Sequence, residues 1–138
     1  MNNQNIEQWG IFEITLLGPT AGNPYVDVQL SARFDSGQHI FEPEGFYDGE
    51  GIYRIRFMPD APGKWTYTTR SNIPELDAKT GEFTCGKASI GNHGPVHVTN
   101  TFHFSYDDGT PYYPFGTTCY AWTHQGNVLE EQTLQTLK

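Results

Sequence analysis

Basic residues are scarce in this chain: 8 Lys and Arg stand against 16 Asp and Glu, for a formal net charge of -8. Binding a phosphate backbone or an anionic lipid surface needs clustered cations, so neither nucleic acid nor a membrane is expected as a partner. Cysteine is scarcer still. Cys85 and Cys119 are the two present, too few for a disulfide framework, and they read as free thiols of a cytoplasmic protein. No apolar run is long enough to span a bilayer. The opening residues, Met1 to Trp9, lack the basic stretch and apolar run of a secretory leader. A cytoplasmic location is therefore expected, or a secreted one if a leader has been lost. Repeats of fixed period, low-complexity tracts and, until the last residues, helical periodicity are also missing.

The chain is instead rich in glycine and aromatics, with 15 Gly, 9 Phe, 8 Tyr and 3 Trp, which favours pleated sheets joined by many turns. At 138 residues it can bury one substantial core. Apolar residues alternate at the strand period in Phe12, Ile14 and Leu16, and again in Val26, Val28, Leu30, Ala32 and Phe34. Tyr53, Ile55 and Phe57 repeat the pattern, and Pro59 to Gly63 then turns the chain into Lys64 to Thr69, which predicts a hairpin. Ile40 to Phe46, Glu82 to Cys85 and Val96 to Val98 are weaker strand candidates. Six or seven short strands at such spacing predict an all-β body, a β-sandwich over residues 6–87.

Residues 88–100 lie in a stretch of small and turn-forming side chains and are expected to be a linker. Residues 101–138 open a second unit. Two aromatic-rich extended runs flank Asp108-Gly109, and Val128, Leu129, Thr133, Leu134 and Leu137 then recur at helical spacing. Sheet followed by helix is the start of a βα unit, and the chain reads as a fragment that does not complete it.

Several residue groups invite chemistry. His93 and His97 have a helical metal-ligand spacing, but Gly94-Pro95 between them forbids a regular helix. In an extended chain they stand roughly 13 Å apart, too far to share one ion. The acidic loop Glu42 to Gly51 is explained by turn formation without calcium. No metal or other cofactor is expected. Cys119 has no partner base at an identifiable spacing, and the adjacent pairs Asp107-Asp108 and Glu130-Glu131 fit a turn and a helix start. Trp65 and Tyr67, with Trp9, Tyr25, Tyr47 and Tyr53, could either form a glycan-stacking platform or fill the core.

Two stretches carry a family resemblance. Phe46-Tyr-Asp-Gly-Glu-Gly-Ile-Tyr-Arg-Ile-Arg-Phe-Met-Pro-Asp-Ala-Pro-Gly-Lys-Trp-Thr-Tyr67 resembles the immunoglobulin-like N-terminal domain that precedes the barrel in a group of bacterial proteins classed as glycoside hydrolases. Asp108-Gly-Thr-Pro-Tyr-Tyr-Pro-Phe-Gly-Thr-Thr-Cys-Tyr-Ala-Trp122 is similar to the start of the barrel itself, of the apiosidase-like kind. The resemblance implies an immunoglobulin-like β-sandwich followed by a truncated first βα unit of a (β/α)8 barrel. It places the parent's catalytic carboxylates on later strands, leaving no catalytic residue here. Thr117, Thr118, Tyr120, Trp122 and His124 would lie near the parent's substrate cleft, although related barrels often carry an acidic residue where this chain has Thr117. The expected role is a catalytically silent scaffold packed on the rest of the barrel of an enzyme acting on polysaccharide. A carbohydrate-binding module and a protein-interaction sandwich are the alternatives, and the C-terminal segment could pair two copies.

Overall fold

The computed structural model describes residues 6–137 apart from Thr117, Tyr120, Ala121 and Gln125. The elements are β1 (Ile6–Glu7), β2 (Phe12–Leu17), α1 (Pro24–Asp27), β3 (Leu30–Asp35), β4 (Ile40–Phe41), β5 (Gly45–Gly49), β6 (Ile52–Phe57), β7 (Gly63–Ser71) and β8 (Thr80–Gly86). There follow β9 (Val96–Thr99), β10 (His103–Tyr106), β11 (Pro111–Tyr112), a 3-10 turn at Trp122–His124, and α2 (Asn127–Leu137). The first eight strands form a β-sandwich, with one sheet ordered β1-β8-β7-β3-β4 and the other β2-β6-β5. Pairing is antiparallel except between β1 and β8.

Register explains why alternation becomes a core. Phe12 lies opposite Phe57 and Ile14 opposite Ile55 across β2 and β6, so their inward side chains form one apolar sheet face. On the other sheet Ala32 and Phe34 of β3 pair with Thr69 and Tyr67 of β7, and Trp65 pairs with Phe83 of β8. The two faces interlock through aromatic rings. Phe12 stacks on Phe83 at 4.0 Å between centroids, Phe34 stacks on Phe57 at 4.2 Å, and Trp65 meets Phe57 edge-on at 5.0 Å.

Three local expectations are corrected. The strand expected from Val26 begins only at Leu30, because Asn23-Pro24 starts a one-turn helix instead. Proline fits the first helical position, where its missing N–H is not needed. The Asn23 carbonyl then accepts from Val26 and Asp27, while the Asp27 carboxylate accepts from the Asn23 N–H at 2.8 Å. The Pro59 to Gly63 turn does not close a hairpin. It carries the chain from β6 in one sheet to β7 in the other, since Pro59 and Pro62 cannot donate to a ladder and Trp65 enters the core with its indole N–H on the Ala61 carbonyl at 3.0 Å. Ile40 to Phe46 divides into β4 and β5 around Pro43, whose carbonyl accepts from Ala32.

Between β7 and β8, Leu76 is fully buried although it lies in a loop. The buried hydroxyl of Thr69 holds that loop, donating to the Leu76 carbonyl at 2.6 Å and accepting from the Lys79 N–H at 2.9 Å.

The remaining strands form a separate antiparallel sheet, ordered β11-β10-β9. The expected linker 88–100 therefore ends in a strand. It is also anchored at its start: the Glu7 carboxylate accepts from the Ser89 N–H at 2.6 Å and the Asn92 amide at 2.8 Å. Gly94, at φ 80°, is needed twice over, for its left-handed backbone and because a Cβ there would lie 2.7 Å from the Trp9 ring. All of the residues in the buried core fall between Phe12 and Cys85.

Replacing Thr69 by Val keeps the shape and removes both loop hydrogen bonds, so a loss of about 1–3 kcal/mol is expected in urea unfolding. A change under about 0.5 kcal/mol, the usual size for an unimportant surface site, would show that the loop does not depend on the hydroxyl.

Candidate functional site

The residues singled out from the sequence are dispersed. Trp65 is wholly buried and its ring is committed to Phe57 and Phe41, so it cannot serve as a glycan platform. Tyr67 is half-buried and tilted against Phe12 and Phe34, which removes the second member of that expected pair. Both rings face inward because their positions alternate with exposed Thr66 and Thr68 on β7. Thr118 and His124 are exposed, and Trp122 is half-buried with its indole N–H 3.4 Å from the Glu130 carbonyl of α2. Thr117 and Tyr120 lie outside the described residues.

Histidines and carboxylates meet at the β10–β11 turn. Asp108 Oδ2 is 2.7 Å from Nδ1 of His93, and Thr110 Oγ1 is 3.3 Å from the same nitrogen. A nucleophile, base and orienting acid act through opposite nitrogens of the imidazole. Sharing one nitrogen makes this a latch rather than a proton relay. His97 Nε2 contacts a different carboxylate, Asp107, at 2.8 Å. The latch joins the segment after β8 to the turn, reinforced by the Asp107 N–H on the Pro95 carbonyl. The His93 hydrogen bond, helped by the Thr110 N–H, holds the Asp108 carboxyl down to about 2.

On the outer face of β2-β6-β5, Glu13 accepts from Arg56 at 2.8 Å and also from Arg54, which reaches Asp48 as well. The Arg56 hydrogen bond is the first cause that lowers the Glu13 carboxyl. These charges pair with one another across the strands, and none is set apart as a general acid.

Two grooves remain. One, of about 590 Å³, runs along the second sheet and is lined by Phe102, Phe104, Tyr112 and Tyr113 with Asn100 and His103. The other, of about 820 Å³, opens at the sandwich edge between α1, the start of β3, β5 and the end of β7. Tyr25, Gln29, Glu44, Arg70 and Asn72 line it. Among the described residues no helix is long and apolar enough to cross a membrane.

Residues 5–72 match the family described as Domain of unknown function (DUF5060). Beyond that match, the chain is 47% identical to a putative glycoside hydrolase from Bacteroides vulgatus ATCC 8482 of known crystal structure, with a TM-score of 0.89. The likeness covers 95% of this chain, so it includes the second unit as well as the sandwich. The chain spans 25% of that protein's length. No curated protein matches it.

The sandwich-edge groove escaped sequence reasoning because it is built across distances of more than forty residues. Of its lining only Tyr25 was singled out from the sequence among the aromatics that could form a platform, and Asn23-Pro24 ahead of it is the turn signal that takes that ring out of the strand pattern.

Because the Asp108 carboxyl is lowered on folding, its contact with His93 stabilises the turn above the ordinary carboxylate range and is lost as pH falls toward about 2. A carbon-detected carboxyl titration should place Asp108 well below 3.8, and Asp108→Asn should flatten the acid sensitivity of the β10–β11 turn. An Asp108 midpoint at or above the ordinary value would contradict the latch.

Proposed function

We propose that this chain is a non-catalytic accessory and scaffold unit of a glycoside hydrolase acting on polysaccharide. In this reading the sandwich is immunoglobulin-like, and residues 101–138 are the first βα unit of a (β/α)8 barrel of the apiosidase-like kind, completed by further chain. The observation that carries it is the uneven distribution of apolar surface. The sandwich exposes some apolar residues, Leu17 and Tyr25 among them, but it closes a core, whereas none of the described residues after Cys85 is buried and Ile90, Phe102, Tyr113, Phe115 and Val128 are each 73% or more exposed. Leu129, Leu134 and Leu137 of α2 are exposed as well. Apolar side chains left exposed together in this way need a partner to bury them. The similarity to a quarter of a longer putative glycoside hydrolase supports this reading, in which the partner is the rest of a barrel whose catalytic carboxylates lie on later strands.

Thr118, Trp122 and His124, with Thr117 and Tyr120, would edge the parent's cleft, at the end of the first barrel strand where such enzymes build their sites. The sandwich would brace that edge through the Glu7 anchor and the His93 latch.

Assayed alone on a panel of glycosides and polysaccharides, the chain should show no turnover. It should associate as its concentration rises, through the uncovered apolar face. Val128→Glu with Leu134→Glu should suppress that association while leaving the unfolding midpoint of the sandwich unchanged. Robust glycoside turnover would sink the accessory role; a monodisperse monomer at high concentration that binds no apolar dye would sink the docking face.

A further inference from the structure

The sandwich-edge groove has the construction of a ligand site. Its floor depends on a close approach: a Cβ on Gly45 would lie 2.7 Å from Leu30 Cδ2 and 2.9 Å from the Arg54 carbonyl. Only glycine lets β5 settle onto β3, where Ser31 and Glu44 form an isolated bridge between the two sheets.

One wall is α1, which presents the Tyr25 ring 73% exposed. That ring does not hang free. It stands edge-on to Tyr47 at 5.1 Å, and Tyr47 leans on Tyr53 at 5.0 Å, so the exposed aromatic is backed by a series of rings that reaches the core. The facing wall is the end of β7. Asn72 ties the walls together, accepting from the Gln29 N–H and donating to the Asp27 carbonyl, each at 2.8 Å. The Ser71 hydroxyl adds a bond to the Gln29 carbonyl at 2.6 Å. Walls cross-linked in this way are set before any ligand arrives, which lowers the entropic cost of binding.

The groups around the ring supply both halves of hydroxyl recognition. Arg70, its side chain 65% exposed and held loosely by Glu42 at 3.7 Å, and the side-chain amide of Gln29 can donate, while the Glu44 carboxylate and the Gln29 side-chain oxygen can accept. A hydroxyl donates and accepts at once, and the C–H face of a sugar ring packs on an aromatic as other apolar groups do. Arg70 is the one cation in the lining, against Glu44 and Asp77, so an anionic ligand is disfavoured. The volume of about 820 Å³ falls within the usual range for small-ligand sites.

We propose that this groove binds a neutral oligosaccharide, with the Tyr25 ring as stacking platform and Arg70, Gln29 and Glu44 as hydroxyl partners. The choice of ligand class rests on the carbohydrate reading above; the preorganised geometry of the groove stands apart from it.

The test is titration of the whole chain with neutral gluco-, xylo-, manno- and galacto-hexaoses and with oligogalacturonate, followed by calorimetry and amide chemical shifts. At least one neutral hexaose should bind saturably and shift the Gln29, Ser31, Gly45 and Arg70 amides. Tyr25→Ala should weaken it by about tenfold or more with an unchanged melting temperature, and Tyr25→Phe should stay within about twofold, because the ring rather than the hydroxyl does the stacking. The proposal is overturned if no neutral hexaose saturates, if only oligogalacturonate binds, if the shifts fall along residues 99–114, or if Tyr25→Ala leaves affinity unchanged. Absence of groove binding with concentration-dependent association intact would remove the groove and leave the accessory role. Loss of that association with groove binding intact would do the reverse.

Discussion

The stacked pairs Phe12–Phe83 and Phe34–Phe57, with Trp65 wedged against Phe57, are the constraint on which the rest of the sandwich depends. Each pair takes one ring from each sheet, so the sheets are interlocked rather than merely layered. Aromatic contacts of this kind contribute about 0.5–1.5 kcal/mol each beyond the area they bury. Their geometry also dictates connectivity. Trp65 reaches its slot only if the chain leaves β6 and enters the opposite sheet, and the proline-bearing turn makes that crossing while supplying the Ala61 carbonyl that satisfies the buried indole. Sheet register, crossover turn and a paired polar atom follow from one packing requirement.

Much of this was legible in the residues. Alternation located β2, β6 and the inward half of β3, and the count of short strands indicated a sandwich. The three-and-four spacing after Asn127 located α2. What alternation cannot report is which sheet a strand joins, because inward-facing residues of both sheets look alike in sequence; β6 and β7 were misread as partners for this reason. It also cannot distinguish a short helix from a strand when Val26 and Val28 happen to keep the parity of β3. Proline ahead of Tyr25 was the local feature that outweighed the pattern. The sandwich-edge groove was illegible for a different reason: Asn72, Gln29 and Glu44 become neighbours only after the sheets have closed.

The two units divide the molecule by how they use apolar surface. The sandwich closes a core of interlocked rings and carries charge outside it, with Glu13, Arg54 and Asp48 paired across the outer face of its smaller sheet. The second unit buries none of its described residues, leaving Phe102, Phe115 and the leucines of α2 exposed. A body with a closed core is thus joined to one without. Its similarity to a quarter of a longer protein agrees with that form.

The joint between the units sets how force would pass through the molecule. Residue 87 follows directly on β8, whose hydrogen bonds to β1 on one side and β7 on the other lie across the strand direction. A pull on the second unit would therefore load these bonds in shear, all at once, instead of peeling them open singly. With Trp9 packed over Gly94 and Glu7 gripping Ser89 and Asn92, slack in the spacer is taken up before the strand is reached. The anchorage makes the sandwich a stiff mooring for the segment that follows it.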